Sequence, residues 1–588
     1  MHSLWTFVSE TVGQAYPDFT GKVKLSPPPK WQNGDYCFNV WDIARQFSLK
    51  WSEIAHTLSD SIGSHSDAVR YIEVMGIYVN LCLTDKAFLG LLAESRKTKP
   101  AESTGAQEWS VIVDYIGINI GKPLHIGHIC TPSIGQVFCN IYRYKWRKVI
   151  GDVHTGDWGG IFGRLIAWWK RWGDEMEFQK NPVRHLLSLY QMVSSQIEPG
   201  EWVEPDGDLN NLCREEFRKL SSGDEESIRL WGRFTSESLT KMEETLWLLN
   251  VRPDVAIGES FYEWLPLPKL GEYPDLIFTM GNVVEELIFA GIAQRSQDGS
   301  VGVSFPEGSK LPSNILQKKD GTHGYFASDL ACIKYRLMNG WNPSKIIYCT
   351  DMRQALHFKQ VFAVARMAWW VSGEIELVHA PNGFISLPEW AMSTRKWNVV
   401  WLDDLFDEAF TRTRAILEEK SRTLSDEDTR SIAIGWLKYS YLMRDREGNV
   451  IFNWDNALNL EGRSGPYIQY AYVRSKKLNA QLAIDPNEAK EIPMSEVGLT
   501  EQDKTLIKVL IRMDEAIDEV IKTHKPHHLA LYCYDLATTF NSFYALSPTI
   551  VGETNPDIKF IRSVLSKMTE EKLRLWFELL GINMPSEM

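Results

Sequence analysis

At 588 residues the chain is too long for one hydrophobic core and predicts about three or four domains. Its 44% hydrophobic and 24% charged residues are ordinary for a globular protein, and no apolar run is long enough to span a bilayer, so no membrane partner is expected. The net charge of −13 excludes a chain that is basic throughout, although a local cluster such as Arg474-Ser475-Lys476-Lys477 can still form a track for a polyanion, or simply a solvated helix face.

The start, Met1-His2-Ser3-Leu4-Trp5, lacks a basic region followed by an apolar one, so a secretory signal is not expected and a cytoplasmic location follows. The cysteines at 37, 82, 130, 139, 213, 332, 349 and 533 stand singly with no C-x-x-C pair, which argues against a zinc knuckle or a disulfide framework.

In chain order, the first composition break is the polar stretch from Glu94 to Gly105, read as a linker after a mixed α/β segment. From Trp109 to about Asn398, β-branched runs such as Val111-Ile112-Val113, Val149-Ile150 and Lys345-Ile346-Ile347-Tyr348 alternate with helical periods, the pattern of a parallel-stranded α/β domain. Residues from about 181 to 250 are charged and helical in spacing, and read as an insertion. Beyond Leu402-Asp403-Asp404-Leu405-Phe406 the spacing is nearly all helical, with Leu529, Tyr532, Leu536, Phe540, Phe543 and Tyr544 forming one core-facing stripe. The expected spans are 1–104, 105–402 and 403–588.

Two segments carry the chemistry. Lys122-Pro123-Leu124-His125-Ile126-Gly127-His128 follows the strand-like Val111 to Tyr115 and opens a helical stretch. A strand-to-helix turn presents N–H groups to anions, Gly127 admits a nucleotide close to the backbone, and two imidazoles can donate to phosphate oxygens. The same tetrapeptide alone could cap a helix or bind a metal. Met392-Ser393-Thr394-Arg395-Lys396, far downstream, supplies the cations and hydroxyls that suit a developing pyrophosphate charge. The pair reads as an ATP-activating site.

The two segments resemble the His-Ile-Gly-His and Lys-Met-Ser-Lys-Ser elements of class I aminoacyl-tRNA synthetases. Asn119, Asp157-Trp158-Gly159, Gly258-Glu259-Ser260-Phe261-Tyr262, the run Asp351 to Phe358, Gly465 to Ala471 with Arg474, and Leu580-Gly581-Ile582 narrow the resemblance to the arginyl-tRNA synthetases. It implies a Rossmann-like α/β catalytic domain with a helical insertion, an N-terminal α+β additional domain, and a C-terminal all-α anticodon-binding bundle. It also implies ligation of L-arginine to tRNA(Arg) with ATP, supplied as its Mg2+ complex, by a monomer without a structural metal.

By the same resemblance His125 and His128 hold ATP and the transferring phosphoryl group, Gly127 packs against adenine, and Met392, Ser393, Thr394, Arg395 and Lys396 close on the phosphates. The second lysine of the family element falls at Thr394, and Lys122 stands where arginyl members supply the missing cation. The implied arginine pocket contains Asp114, Asn119, Tyr325, Asp329 and Gln354. Acidic and amide groups suit a guanidinium with five donors, and Tyr325 and Asp329 share one face if their segment is helical. Asp114 could instead cap its strand end, and Asp329 could instead be a helix N-terminal charge. Tyr467, Gln469, Tyr470 and Arg474 are the expected contacts to tRNA bases and phosphates, although tyrosines packed in a helical core would have the same pattern. Two further readings stay open: another class I synthetase, and a synthetase-derived protein that binds tRNA without charging it.

The 23 tryptophans include Trp390 and Trp397, which flank Met392 to Lys396 where the family element has glycine, and Trp146 in a comparable turn. An indole suits a phosphate loop poorly. The expectation is a gene that reads UGA as glycine.

Overall fold

The computed structural model describes residues 2–29, 33–65, 67–97, 109–145, 147–194, 207–263, 265, 271–386, 401–419, 421–454, 458, 462–482, 491–494 and 496–584. The chain forms two compact units, and these do not follow the three expected spans.

One unit comprises Met1–Ala101, Tyr470–Ala516 and Tyr532–Leu575. Strands β1 (Tyr36–Asn39), β2 (Val69–Met75) and β3 (Tyr78–Leu83) make an antiparallel sheet in the order β1-β3-β2. The N-terminal segment is bound to late helices by charge. Buried Asp85 accepts from the backbone N–H groups of Gly498 and Leu499 at 3.0 and 2.8 Å, and its other oxygen lies 3.2 Å from Lys504 Nζ. Asp35 pairs with Lys508 at 3.0 Å. These contacts explain why residues more than 400 positions apart share one unit.

The other unit comprises Glu102–Gln469, Ile517–Leu531 and Trp576–Met588. Its centre is a parallel sheet of β4 (Ser110–Asp114), β5 (Lys148–Val153), β6 (Val255–Ala256), β10 (Pro343–Tyr348) and β11 (Glu376–His379), ordered β11-β10-β4-β5-β6. Every residue of β4 is buried, as a central strand covered on both faces requires. A separate antiparallel meander, β7 (Ala293–Arg295), β8 (Val301–Val303) and β9 (Asn314–Gln317), lies between β6 and β10 in sequence. The expected insertion is helical, with Pro182–Ser194, Gly207–Ser221 and Glu225–Leu248 between β5 and β6. Helix Leu402–Glu419 belongs to this unit, so the break expected near 402 is not a boundary between units.

The strand order places the site. The chain leaves β4 toward β5 and β6 on one side, then returns to β10 and β11 on the other, so the direction reverses between β4 and β10. Open parallel sheets bind ligands at the carboxyl ends of the strands at such a reversal. The histidine turn follows β4, and Asp351 follows β10. Helix Cys130–Tyr144, which leaves the histidine turn, packs so closely that a Cβ at Gly135 would lie 2.0 Å from Tyr115 Cβ. Glycine there lets the helix, and the turn before it, seat on the chain leaving β4.

Candidate active site

The two histidines hold each other's backbone. His125 is the N-cap of a 3-10 turn, Ile126–Ile129, and its Nδ1 accepts from Gly127 N–H at 3.1 Å. His128 Nδ1 in turn accepts from His125 N–H at 2.9 Å. A neutral ring accepting through Nδ1 carries its proton on Nε2. Both rings therefore cap the turn and still offer an Nε2–H donor, so the capping and phosphate-binding readings are compatible. Their centroids are 3.9 Å apart. Burial, with Arg353 and Lys122 nearby, pulls His125 down to about 4, and burial with His125 pulls His128 down to about 3. Both are neutral donors at pH 7. A Cβ at Gly127 would sit 2.9 Å from His125 Cε1, so glycine also makes room for the ring. Lys122 Nζ lies 4.3 Å above the Tyr190 ring.

The acidic residues divide into two groups. Asp114 is buried at the end of β4, with Oδ2 2.9 Å from Arg336 NH1, and Asp152 of β5 lies 2.7 Å from Arg336 NH2. Burial keeps Asp114 above the ordinary carboxylate range despite that guanidinium. Asp114 was expected to face the amino acid. Here it is engaged by a cation of the protein itself, because leaving Arg336 unpaired at the sheet's centre would be costly.

Among the described residues no such guanidinium is bonded to Asp329 or Glu259. Asp329 lies on helix Tyr325–Met338, one turn after Tyr325, so the two share a face as the spacing predicts. Glu259 opens the turn Glu259–Glu263 beyond β6, where burial raises its carboxyl to about 8, with Asp157 and Asp329 adding to the rise and His154 opposing it. Burial and the charge of Glu259 also raise the Tyr325 phenol. Glu259, Asp329 and Tyr325 thus act on one space. Glu259 stands within the Gly258–Tyr262 motif with no role evident from sequence; its one signal there is an acid directly after a glycine at the end of a short β-branched run. Next to it, buried Asp157 accepts from Ser260 N–H at 2.9 Å and Ser260 Oγ–H at 2.6 Å. A Cβ at Gly258 would come within 2.3 Å of that carboxylate, which ties the two motifs together.

The turn Met352–Gln354 connects the histidines to this acidic space. Asp351 caps it by accepting from Arg353 N–H at 2.8 Å, Arg353 acts on His125, and His357 one turn later contacts Asp329. Gln354 is exposed at the start of helix Ala355–Met367. Asn119 is exposed and pairs in backbone register with Gly156, where a Cβ would lie 2.5 Å from the Asn119 Oδ1.

Met392, Ser393, Thr394, Arg395 and Lys396 lie outside the described residues, as do Trp146, Trp390 and Trp397. The first described residue beyond that segment, Trp401, pairs in backbone register with His125, and Leu402 N–H donates to Leu124 O at 2.8 Å. The chain leaving the downstream motif is therefore bound to the histidine turn.

The expected tRNA contacts lie on helix Gly465–Leu482. Gln469 is buried, accepting from Trp436 Nε1–H at 2.6 Å, so its amide is a packing group and does not face a base. Tyr467 is half-buried. Tyr470 is exposed, with the Arg474 guanidinium 4.0 Å from its ring centroid, and Arg474 also donates to Asn541 at 2.8 Å. Among the described residues no cluster of three or more potential metal ligands occurs.

The model of the class I (R) tRNA synthetase catalytic domain matches residues 90–454, and the DALR anticodon binding domain model matches 468–588. The arginine–tRNA ligase of Fusobacterium nucleatum subsp. nucleatum is 34% identical, over 89% of this chain and 88% of that one. That of Chloroflexus aurantiacus is 32% identical over 100% of both. In fold the chain is similar to the arginyl-tRNA synthetase of Thermus thermophilus, with a TM-score of 0.80 at 21% identity over 100% of both chains. The corresponding figures for the Plasmodium falciparum enzyme are 0.77 and 21%, over 100% of this chain and 99% of that one. The chain belongs to the arginyl-tRNA synthetase family of class I aminoacyl-tRNA synthetases.

Because each imidazole is a preorganised neutral donor, His128→Ala should lower the rate of adenylate formation by about 100- to 1000-fold. The two rings titrate near 4 and 3, so the pH profile of ATP–pyrophosphate exchange should show no limb from them between pH 5 and 7. Exchange kinetics of the wild type and the variant across that range check both statements.

Proposed function

We propose that the protein ligates L-arginine to tRNA(Arg) through an arginyl-adenylate, releasing AMP and pyrophosphate, as a cytoplasmic monomer. The arrangement that carries this reading is the pair of neutral Nε2–H donors at the sheet's reversal, connected through the turn Met352–Gln354 to Asp329 and Glu259.

The arginine carboxylate attacks the α-phosphate of ATP, the bond to the β-phosphate oxygen breaks, and pyrophosphate leaves. The terminal ribose hydroxyl of tRNA then attacks the acyl carbon and expels AMP. Neither step needs a covalent catalyst from the protein, so its contribution is position and charge. His125 and His128 donate to phosphate oxygens, and Lys122 with Arg395 and Lys396 offsets charge on the leaving pyrophosphate. Ser393, Thr394 and Met392 belong to the same motif and serve the same phosphates. Magnesium, bound to ATP, supplies further positive charge to the phosphates.

At the other end of the substrate, Asp329 and Glu259 accept the guanidinium, Tyr325 covers it, and Asn119 and Gln354 hold the amino-acid end. A pocket of this kind rejects a neutral analogue because its carboxylates would remain unpaired. Exposed Tyr470 and half-buried Arg474 form a stacked pair suited to a splayed base and its phosphate.

Charging of total tRNA with each amino acid in turn, with Mg·ATP present, tests the reading. Arginine alone should be attached; attachment of another amino acid, or of none while tRNA still binds, overturns it. A second test follows from Glu259. Its carboxyl, raised to about 8, is mostly protonated at pH 7 and should ionise when a guanidinium arrives. Arginine binding at pH 7 should therefore release protons, seen as a dependence of calorimetric heat on buffer ionisation enthalpy, and Glu259→Gln should remove that dependence.

A further inference from the structure

Asp329 is hydrogen-bonded through one oxygen to His357, while His154 faces its other oxygen beyond hydrogen-bond distance. His357, on helix Ala355–Met367, places Nε2 2.6 Å from Asp329 Oδ2. His154, directly after β5, places Nε2 3.9 Å from Oδ1 and 3.4 Å from Ser328 Oγ. Its Nδ1 is 3.1 Å from the Ile257 carbonyl oxygen, which requires a proton on that nitrogen and turns Nε2 toward the acid. The His357 ring is steadied by edge contacts with Phe326 and Phe358, at 5.9 and 5.4 Å between centroids. The charged and titratable groups that face Asp329 are His357, His154, Arg336 on its own helix, and Glu259 from the turn after β6. Burial alone would raise the Asp329 carboxyl, but the His357 hydrogen bond and charge, with His154 and Arg336, bring it below its ordinary range.

We propose that His357 is a positioning residue for arginine recognition: its Nε2–H fixes the Oδ2 edge of Asp329 and keeps that carboxylate aimed, leaving the Oδ1 edge for the substrate guanidinium. This rests on the reading of Asp329 as a guanidinium partner. His357 itself touches no reacting atom. A carboxylate with one oxygen held can turn only with the loss of a charged hydrogen bond, so the substrate meets a preset acceptor.

The test uses His357→Phe, His357→Gln and Asp329→Asn in arginine-dependent pyrophosphate exchange. His357→Phe should raise KM for arginine by about tenfold, the size of a lost charged hydrogen bond, with KM for ATP and kcat little changed. The acidic limb of kcat/KM for arginine should move to higher pH, because Asp329 has lost the donor that keeps it ionised. His357→Gln, whose amide N–H can reach the same oxygen, should recover most of both effects. An unchanged arginine KM in His357→Phe, or an equal rise in KM for ATP, overturns the positioning role. If Asp329→Asn also leaves the arginine KM unchanged, the reading of Asp329 itself fails. If Asp329→Asn is damaging and His357→Phe is not, only the role of His357 fails.

A separate observation concerns Trp369. It follows helix Ala355–Met367 and its cap Ala368 with φ +57°, and it is 92% exposed. Its N–H donates to Arg366 O and the next N–H, of Trp370, donates to Ala365 O, both at 3.1 Å. That bonding ends a helix through a left-handed residue, where glycine is the usual occupant and a large side chain is strained. The other described non-glycine residues with positive φ are Ser, Asn, Lys and His. No burial of the Trp369 indole offsets the strain.

We infer that residue 369 is glycine in the protein as the source cell makes it, specified by a UGA codon read as glycine, as the flanks of Met392 to Lys396 also suggest. Sequencing codon 369 and weighing the peptide that spans it, from protein purified from the source organism, decides this. UGA with a glycine peptide is expected; UGG, or a peptide carrying tryptophan, overturns it.

Discussion

Arg336 sits fully buried against the carboxyl ends of two adjacent strands, with Asp114 of β4 on one amino group and Asp152 of β5 on the other. Two acids at the middle of a parallel sheet would repel each other, and one guanidinium between them would be unpaired without either. Removal of Arg336 would leave two buried carboxylates facing each other, a cost of about 3–5 kcal/mol. The same pairing fixes the helix Tyr325–Met338 to the sheet, and that helix carries Asp329. The position of Asp329, the acid proposed to meet the substrate, therefore depends on a pair of acids engaged by an internal arginine.

This division of the carboxylates also explains how a site can be acidic enough for a guanidinium without being flooded by its own charge. Asp114 and Asp152 share one fixed cation, Asp157 accepts from Ser260, and Asp329 is bonded to His357. Glu259 is left protonated near pH 7. Each acid thus has a partner or, for Glu259, its own proton, and in the proposed reading a guanidinium would draw that proton off as it enters.

Much of the fold was legible in the sequence because it rests on local patterns. The β-branched runs at 111–113, 149–150 and 345–348 became β4, β5 and β10, and the histidine turn lies where a strand hands over to a helix. Tyr325 and Asp329 fell on one helix face from spacing alone. What the sequence did not show depends on distant partners. Asp114 was engaged by Arg336, 222 residues away in the chain, and Gln469 was taken into the core by Trp436. No periodicity distinguishes an acid facing a substrate from one facing an internal arginine. The grouping of the N-terminal strands with late helices was hidden for the same reason, since it hangs on Asp85 and Asp35 meeting residues 498–508.

The reciprocal capping of His125 and His128 has a consequence for how the enzyme responds to its medium. Donors without net charge attract phosphate through a short-range dipole, which mobile ions screen little, whereas lysine and arginine act over a Debye length of about 8 Å at physiological ionic strength. In the proposed mode of ATP binding, added salt should therefore spare the contacts of the histidine turn and weaken the cationic ones first. Ionic strength becomes a way to separate the two kinds of phosphate contact in one protein without altering a residue.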